Sequence, residues 1–379
     1  MPATDPLHTG DVSSGDVPTL LTESPLPRDP LHDRPNRGFH PLIGKEQPYV
    51  FVDGCMQIWP DADLANAHRH GCDVFAVTAM HPGVGVDTSL SELMAWHGVV
   101  RRYPNLRIAY SVDDIHQAKA SGQACLLLAA QDGEFIGTAP ERVEAFQRLG
   151  LRMLIPAYNR DNLLCGGVLE YTDAGVSAAG RVVVQECDRV GVVLDLSHVS
   201  RRSSLEIAEL SANPTVFSHA NPKGLVDNAR NVDDEQIRAV AAKGGVIGTV
   251  NWGPLVFKQG MTERPTVNDY VDHIDYLADL LGTTENIGIG TDFSLGSYPR
   301  HNYDQSGMHY RTVMSEMNKY VTTYWRAPER FVDGFVWYPE IVDVYELLRQ
   351  RGYLESDIEG IAGGNFLRVF AQVWPGRAQ

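Results

Sequence analysis

From Tyr49 onward, short apolar runs alternate with amphipathic stretches of helical period. The runs read as strands at 49–55, 74–79, 124–131, 152–158, 191–198, 215–220, 244–250 and 287–293. Several, such as GVVLDLSH and IGIGTDF, are apolar on both faces, the pattern of a parallel strand covered by helices. Helical periodicity fills 140–149, 178–190, 201–211, 233–242 and 267–281. Another helix starts after Ser111, whose hydroxyl can cap it and whose following acids suit a helix N-terminus. Eight βα units in series predict a (β/α)8 TIM barrel. A doubly wound open sheet is the competing fold, but no GxGxxG follows the first strand.

Two segments depart from this rhythm. Residues 1–45 are rich in Pro, Asp, Ser and Thr. They read as an N-terminal arm, surface-lying or partly disordered, able to reach a second subunit. Residues 46–379 then form one barrel domain, interrupted at 296–339 by an excursion dense in aromatics, among them Tyr298, Tyr310, Trp325, Phe335 and Trp337. A lid or pocket wall is one reading of it. A dimer surface or local mini-core is the other.

Barrel enzymes place their chemistry at the C-terminal ends of the strands. Two successive runs end in His198 and His219, and the last ends in Asp292. Neutral imidazoles are common ligands for zinc. One strand-end histidine is usually a hydrogen-bonded structural residue, whereas two on adjacent strands plus an acid favour metal binding or catalysis. Asp292 fits a metal ligand or general base, with an N-cap or loop acid as the bland alternative. Asp195 lies mid-strand and suits structural hydrogen bonds. Arg230 can clamp a carboxylate, or simply pair with Asp233 or Asp234. The HxH of His68 and His70 precedes the second strand, at the wrong face of a barrel, and reads as a solvated helix end.

Composition narrows the partners. A net charge of -16 and a pI near 5.2 oppose nucleic-acid binding and docking on an anionic membrane. Five cysteines without CxxC spacing fit neither a disulfide framework nor a zinc ribbon. No run is long enough to span a bilayer, and the N-terminus lacks the features of a secretory signal. The expectation is a cytoplasmic homodimer acting on a small molecule.

At LDLSHVS, FSHANP, RNVDDEQIRAVAAKGGVIG, IGIGTDF and GGNFLRVF the chain resembles the membrane (renal) dipeptidase family, zinc amidohydrolase-type barrels that cleave dipeptides. The resemblance runs from about Val50 to Trp374. It implies a fold of the metal-dependent hydrolase type, with His198 and His219 on one zinc and Asp292 on the other. It also implies that Arg230, beside Asn231, holds the substrate carboxylate. Tyr158 falls where many members have a histidine that polarises the scissile carbonyl.

Three positions depart from the family's pattern. Its first-strand histidine and aspartate are Cys55 and Gln57 here, and its bridging glutamate is Gln131. Neutral amides cannot screen two dications a few ångströms apart, so the binuclear site is expected to be lost, leaving one zinc or none. Asp132 could supply the bridge only by a one-residue shift, and strand alternation aims it elsewhere.

Three functions remain open on these residues. One is a mononuclear hydrolase of a small dipeptide or amide, with Asp292 as base. A second is a metal-free enzyme doing decarboxylation or isomerisation on an amino-acid-like molecule. The third is a non-catalytic barrel that only binds a small acid.

Overall fold

The computed structural model describes residues 48–58, 62–295 and 331–374. Its strands are β1 (Val52–Ile58), β2 (Val74–Met80), β3 (Leu106–Ile108), β4 (Ala124–Ala130) and β5 (Leu151–Leu154). They continue as β6 (Val193–Leu194), β7 (Val216–Phe217), β8 (Val246–Thr249), β9 (Ile287–Ile289) and β10 (Phe293–Leu295). Parallel pairing runs in the order β6-β5-β4-β2-β1-β9-β8-β7. A parallel bridge between Asp195 and Val216 brings the two ends together. This is the TIM barrel that the sequence pattern predicts.

Helices return the chain between strands: α1 (Val86–Arg102), α2 (Val112–Ala120), α3 (Arg142–Arg148), α4 (Ala178–Val190), α5 (Arg201–Leu210) and α6 (Asp234–Ala241). Then come α7 (Gly253–Val256), α8 (Val267–Leu281), α9 (Ile341–Gln350), α10 (Glu355–Glu359) and α11 (Asn365–Val373). Ser111 caps α2 through a reciprocal capping box with Asp114. No described helix is long and apolar enough to cross a membrane.

Several strands differ from the expected ones; those at 152–158 and 215–220 shorten to Leu151–Leu154 and Val216–Phe217. The strand expected at 191–198 is only two residues long, because the Asp195 carboxylate accepts from the Ser197 amide and turns the chain out of the sheet. The strand expected at 287–293 splits into β9 and β10. At its break a Cβ on Gly290 would meet the Ser218 carbonyl at 1.9 Å, so only glycine allows that approach. Short β3, on the edge of β4, carries no run long enough to announce itself.

The barrel interior is closed from below by α11. Phe366, Phe370 and Trp374 lie buried in a core with Val52, Val74 and Leu127. The ring centroids of Phe370 and Trp374 stack at 4.3 Å. The GGNFLRVF segment therefore plugs the floor, and the opposite end carries the polar residues.

The arm at 1–45 lies outside the described residues, as does the aromatic excursion up to 330. Its described end is core: Phe331, Phe335 and Tyr338 are buried and ring Phe293 at 4.7, 5.3 and 5.1 Å. Tyr338 also donates to Asp53 at 2.7 Å. This part of the excursion is packed into the main core of the barrel, together with Phe51 and Phe75. It also corrects the reading of His70 as a solvated helix end. Trp337 packs edge-on against the ring and donates to its Nδ1 at 3.3 Å. Burial there lowers the imidazole to about 4.

Candidate functional site

The residues that end the strands converge at the mouth. His198 lies four residues beyond β6, and its Nδ1 is 2.7 Å from Asn159 Oδ1. Its Nε2 is 2.8 Å from His219 Nε2 and 3.0 Å from Arg230 Nη2. The same Nη2 donates to the His219 carbonyl at 3.3 Å. Tyr158 stacks on the His198 ring, with centroids 4.0 Å apart. The alternative that Arg230 pairs with Asp233 or Asp234 does not hold: Asp233 pairs with Arg201.

Behind this group lies a buried polar support. Asp195 accepts from the amides of Ser197 and Ser218, each at 2.9 Å, and from the Ser218 hydroxyl. Ser218 Oγ in turn lies 2.7 Å from His219 Nδ1. The structural role expected of Asp195 is therefore observed, and it extends to positioning His219. Burial raises the Asp195 carboxyl above its ordinary range and holds the His219 imidazole well below its own, helped by the Arg230 charge.

Asn159 was not singled out by the sequence. Its signal is conformational: among the described residues the non-glycine positions with positive φ are Asn159 (62°), His198 (67°) and Asp292 (58°). All three are at the mouth, and asparagine is among the residue types that tolerate this region best. Such strain gathers at functional sites. The YNRDN motif carries that information only once the fold aims Asn159 at His198.

On the opposite side of the mouth the ends of β1 and β4 carry uncharged groups beside Asp292. Cys55 sits on β1, and Gln131, just past β4, donates its amide to the Cys55 sulfur at 3.2 Å. Burial first, then the charges of Asp292, Asp195 and Asp53, push the Cys55 thiol well up, so it stays protonated. Gln57 is half-buried near the end of β1, in register with Ser294 of β10. The Asp292 amide donates to the Cys55 carbonyl at 2.9 Å, and its charge bears on Cys55 and Arg230. Asp132 turns away, bonding Gly83, Glu134 and Asn162. Asp53 accepts from the Thr291 amide and hydroxyl at 2.8 and 2.6 Å, fastening β1 to the chain after β9. Its burial lifts it to about 7.

A cavity of about 60 Å³ opens beside Arg230, lined among others by Val168, Leu196, His198, Lys223 and Asn231. It has room for a carboxylate, or about two waters. The Asn231 amide nitrogen donates to the carbonyls of Val226 and Leu255, while its Oδ1 is buried without a partner among the described residues. An unused buried acceptor beside a cavity suits a ligand N–H.

The membrane dipeptidase family model (peptidase family M19) matches residues 65–323. Relatives include dipeptidase 3 of Rattus norvegicus, 30% identical over 295 residues, which are 76% of this chain and 52% of that protein. Dipeptidase tcpJ of Claviceps purpurea is 26% identical over 71% of this chain and 55% of its own length. The chain thus spans about half the length of the curated relatives it matches. An amidohydrolase from Pseudomonas aeruginosa superposes with a TM-score of 0.73 at 27% identity, covering 86% of this chain and 97% of that one. A metallo peptidase from Rhodobacter sphaeroides, liganded with a phosphinate mimic of the dipeptide L-Ala-D-Ala, gives 0.68 at 18%, covering 86% and 99%, which speaks for fold.

The family implies zinc, and the donor set here does not fit a pair of dications. Cys55, Gln57 and Gln131 supply one thiol and two neutral amides where the family has an imidazole and two carboxylates. Among the described residues no three His, Cys, Asp or Glu side chains group as a metal site. His198 and His219 supply two imidazoles, short of the three protein ligands usual for catalytic zinc.

Proposed function

Because the chain belongs to the membrane dipeptidase family, peptidase family M19, we propose that it is a dipeptidase-type hydrolase of a small dipeptide or N-acyl amino acid bearing a carboxylate, with one metal ion at most. The observation that carries this reading is the buried Arg230, whose described hydrogen bonds go to neutral acceptors, beside a cavity of carboxylate size. A buried guanidinium is a strong and geometrically selective partner for a carboxylate.

In this reading Arg230 binds the substrate carboxylate, and Asn231 Oδ1 accepts from a substrate N–H. Asp292 takes a proton from water as the water oxygen bonds to the amide carbon. The Tyr158 hydroxyl faces the oxygen that gains the electron pair. Asp292 then returns the proton to the departing nitrogen, the C–N bond breaks, and a carboxylic acid and an amine leave. No step is assigned to a metal, since the donor set does not fit the family's two-ion centre.

The test is amine release from a panel of dipeptides and N-acyl amino acids, each paired with its C-terminal amide. The expected result is turnover of the free acids. Arg230→Ala, or amidation of the substrate, lowers kcat/KM by about a hundredfold or more, the cost of losing one partner of a buried charge contact. Equal turnover of the amidated substrates, or no amine from any member of the panel, would overturn it.

A further inference from the structure

We propose that Arg230, rather than a metal ion, is the resident cation of this centre: its guanidinium holds the face of the histidine pair that an ion would need, opposite a neutral Cys55–Gln131 hydrogen bond. This rests on the proposed function only in taking Arg230 as the group that meets the substrate carboxylate.

The imidazoles come first. A ligand histidine offers a lone pair, and His198 and His219 would each have to offer one at Nε2. Their nitrogens are instead 2.8 Å from each other, hydrogen-bond geometry that needs a proton between them. Arg230 Nη2 lies 3.0 Å from the same His198 Nε2 and competes for its single lone pair. An incoming ion would have to displace both, against the repulsion of a guanidinium at contact distance.

The remaining ligands are missing for a chemical reason. A binuclear centre needs anions to screen its two charges. Gln131 turns an N–H donor, not a lone pair, toward the Cys55 sulfur at 3.2 Å. No carboxylate among the described residues forms an ion pair with Arg230, although the side chain is only 5% exposed. A charge buried without an ion-pair partner is costly and calls for a role. Next to two imidazoles and Asp292, its role is the positive charge that orients the substrate carboxylate and offsets charge developing at the reacting carbonyl.

The experiment is zinc content by elemental analysis on the full chain, produced in zinc-supplemented medium and dialysed without chelator. Thermal unfolding is followed with and without added zinc and with and without EDTA. The expected wild-type result is zinc far below one equivalent and a midpoint that neither reagent moves. Arg230→Met removes the charge at similar length and should raise zinc affinity at least tenfold, an increase abolished by adding His198→Ala and His219→Ala. Arg230→Lys keeps a cation and should still exclude zinc. About one equivalent in the wild type, lost in the double histidine variant, overturns the inference. So does a folded Arg230→Met that takes up no more zinc than the wild type. A zinc-loaded wild type that hydrolyses the free-acid panel would refute this inference and leave the proposed function standing. A zinc-free protein that cleaves nothing in the panel would do the reverse.

Discussion

The two sides of the barrel mouth are built on opposite electrostatic principles. The side fed by β5, β6 and β7 gathers His198, His219, Asn159 and Arg230 over a buried Asp195–Ser218 support. The side fed by β1 and β4 holds Cys55, Gln57 and Gln131, a protonated thiol and two amides. Both rest on the same parallel sheet and the same floor. The difference teaches that one barrel mouth can hold a hydrogen-bonded ionisable cluster on one side and a thiol with two amides on the other.

That contrast can be broken by mutation. The largest expected effect is on the charged side. Asp195→Ala strands the buried amides of Ser197 and Ser218 and should cost about 3 kcal/mol in urea unfolding. Gln131→Ala on the neutral side removes one amide–thiol contact and should cost about 1 kcal/mol. Equal losses would mean that the Asp195 support is not what holds the site.

A smaller effect follows from pH, at His70 ahead of β2. His70 is held neutral beneath Trp337 at about 4, against 6.5 for the free side chain. Its folded value is depressed, so its contribution is intact above pH 6.5. It is lost as pH falls from 6.5 toward 4, where the unfolded chain takes up the proton first. The loss is on the order of 2 kcal/mol. His70→Gln should flatten the stability profile across that window, and an unchanged profile would show that other groups set it.

The smallest effect sharpens the role of backbone strain. At φ 62° Asn159 occupies a conformation that alanine adopts at a cost of about 1 kcal/mol, while glycine adopts it freely. Asn159→Gly should recover stability relative to Asn159→Ala, yet both should lose the bond to His198 Nδ1 and lower kcat together. If Asn159→Gly turns over like the wild type, that bond does not orient the histidine.

Much of this was legible in the chain. Apolar runs covered on both faces gave the barrel, and strand-end positions pointed to His198, His219 and Asp292 before any contact was known. The missed features depend on neighbours distant in sequence. Asn159 gains its role only because it meets His198, 39 positions away. His70 looked solvated because Trp337, 267 positions away, was not in view. Arg230 could equally have belonged to Asp233 until that acid was found with Arg201.

The sequence by itself determined which chemical groups the mouth could contain. Hydrophobic period sets strand and helix, strand ends set the candidate positions, and no folding turns Gln57 or Gln131 into an anion. Only the tertiary structure decided how those groups combine. Whether a histidine offers its lone pair, shares a proton or accepts from a guanidinium depends on ångström distances between strands that are far apart in the chain. Whether a thiol or carboxylate is charged depends on how completely folding removes it from water.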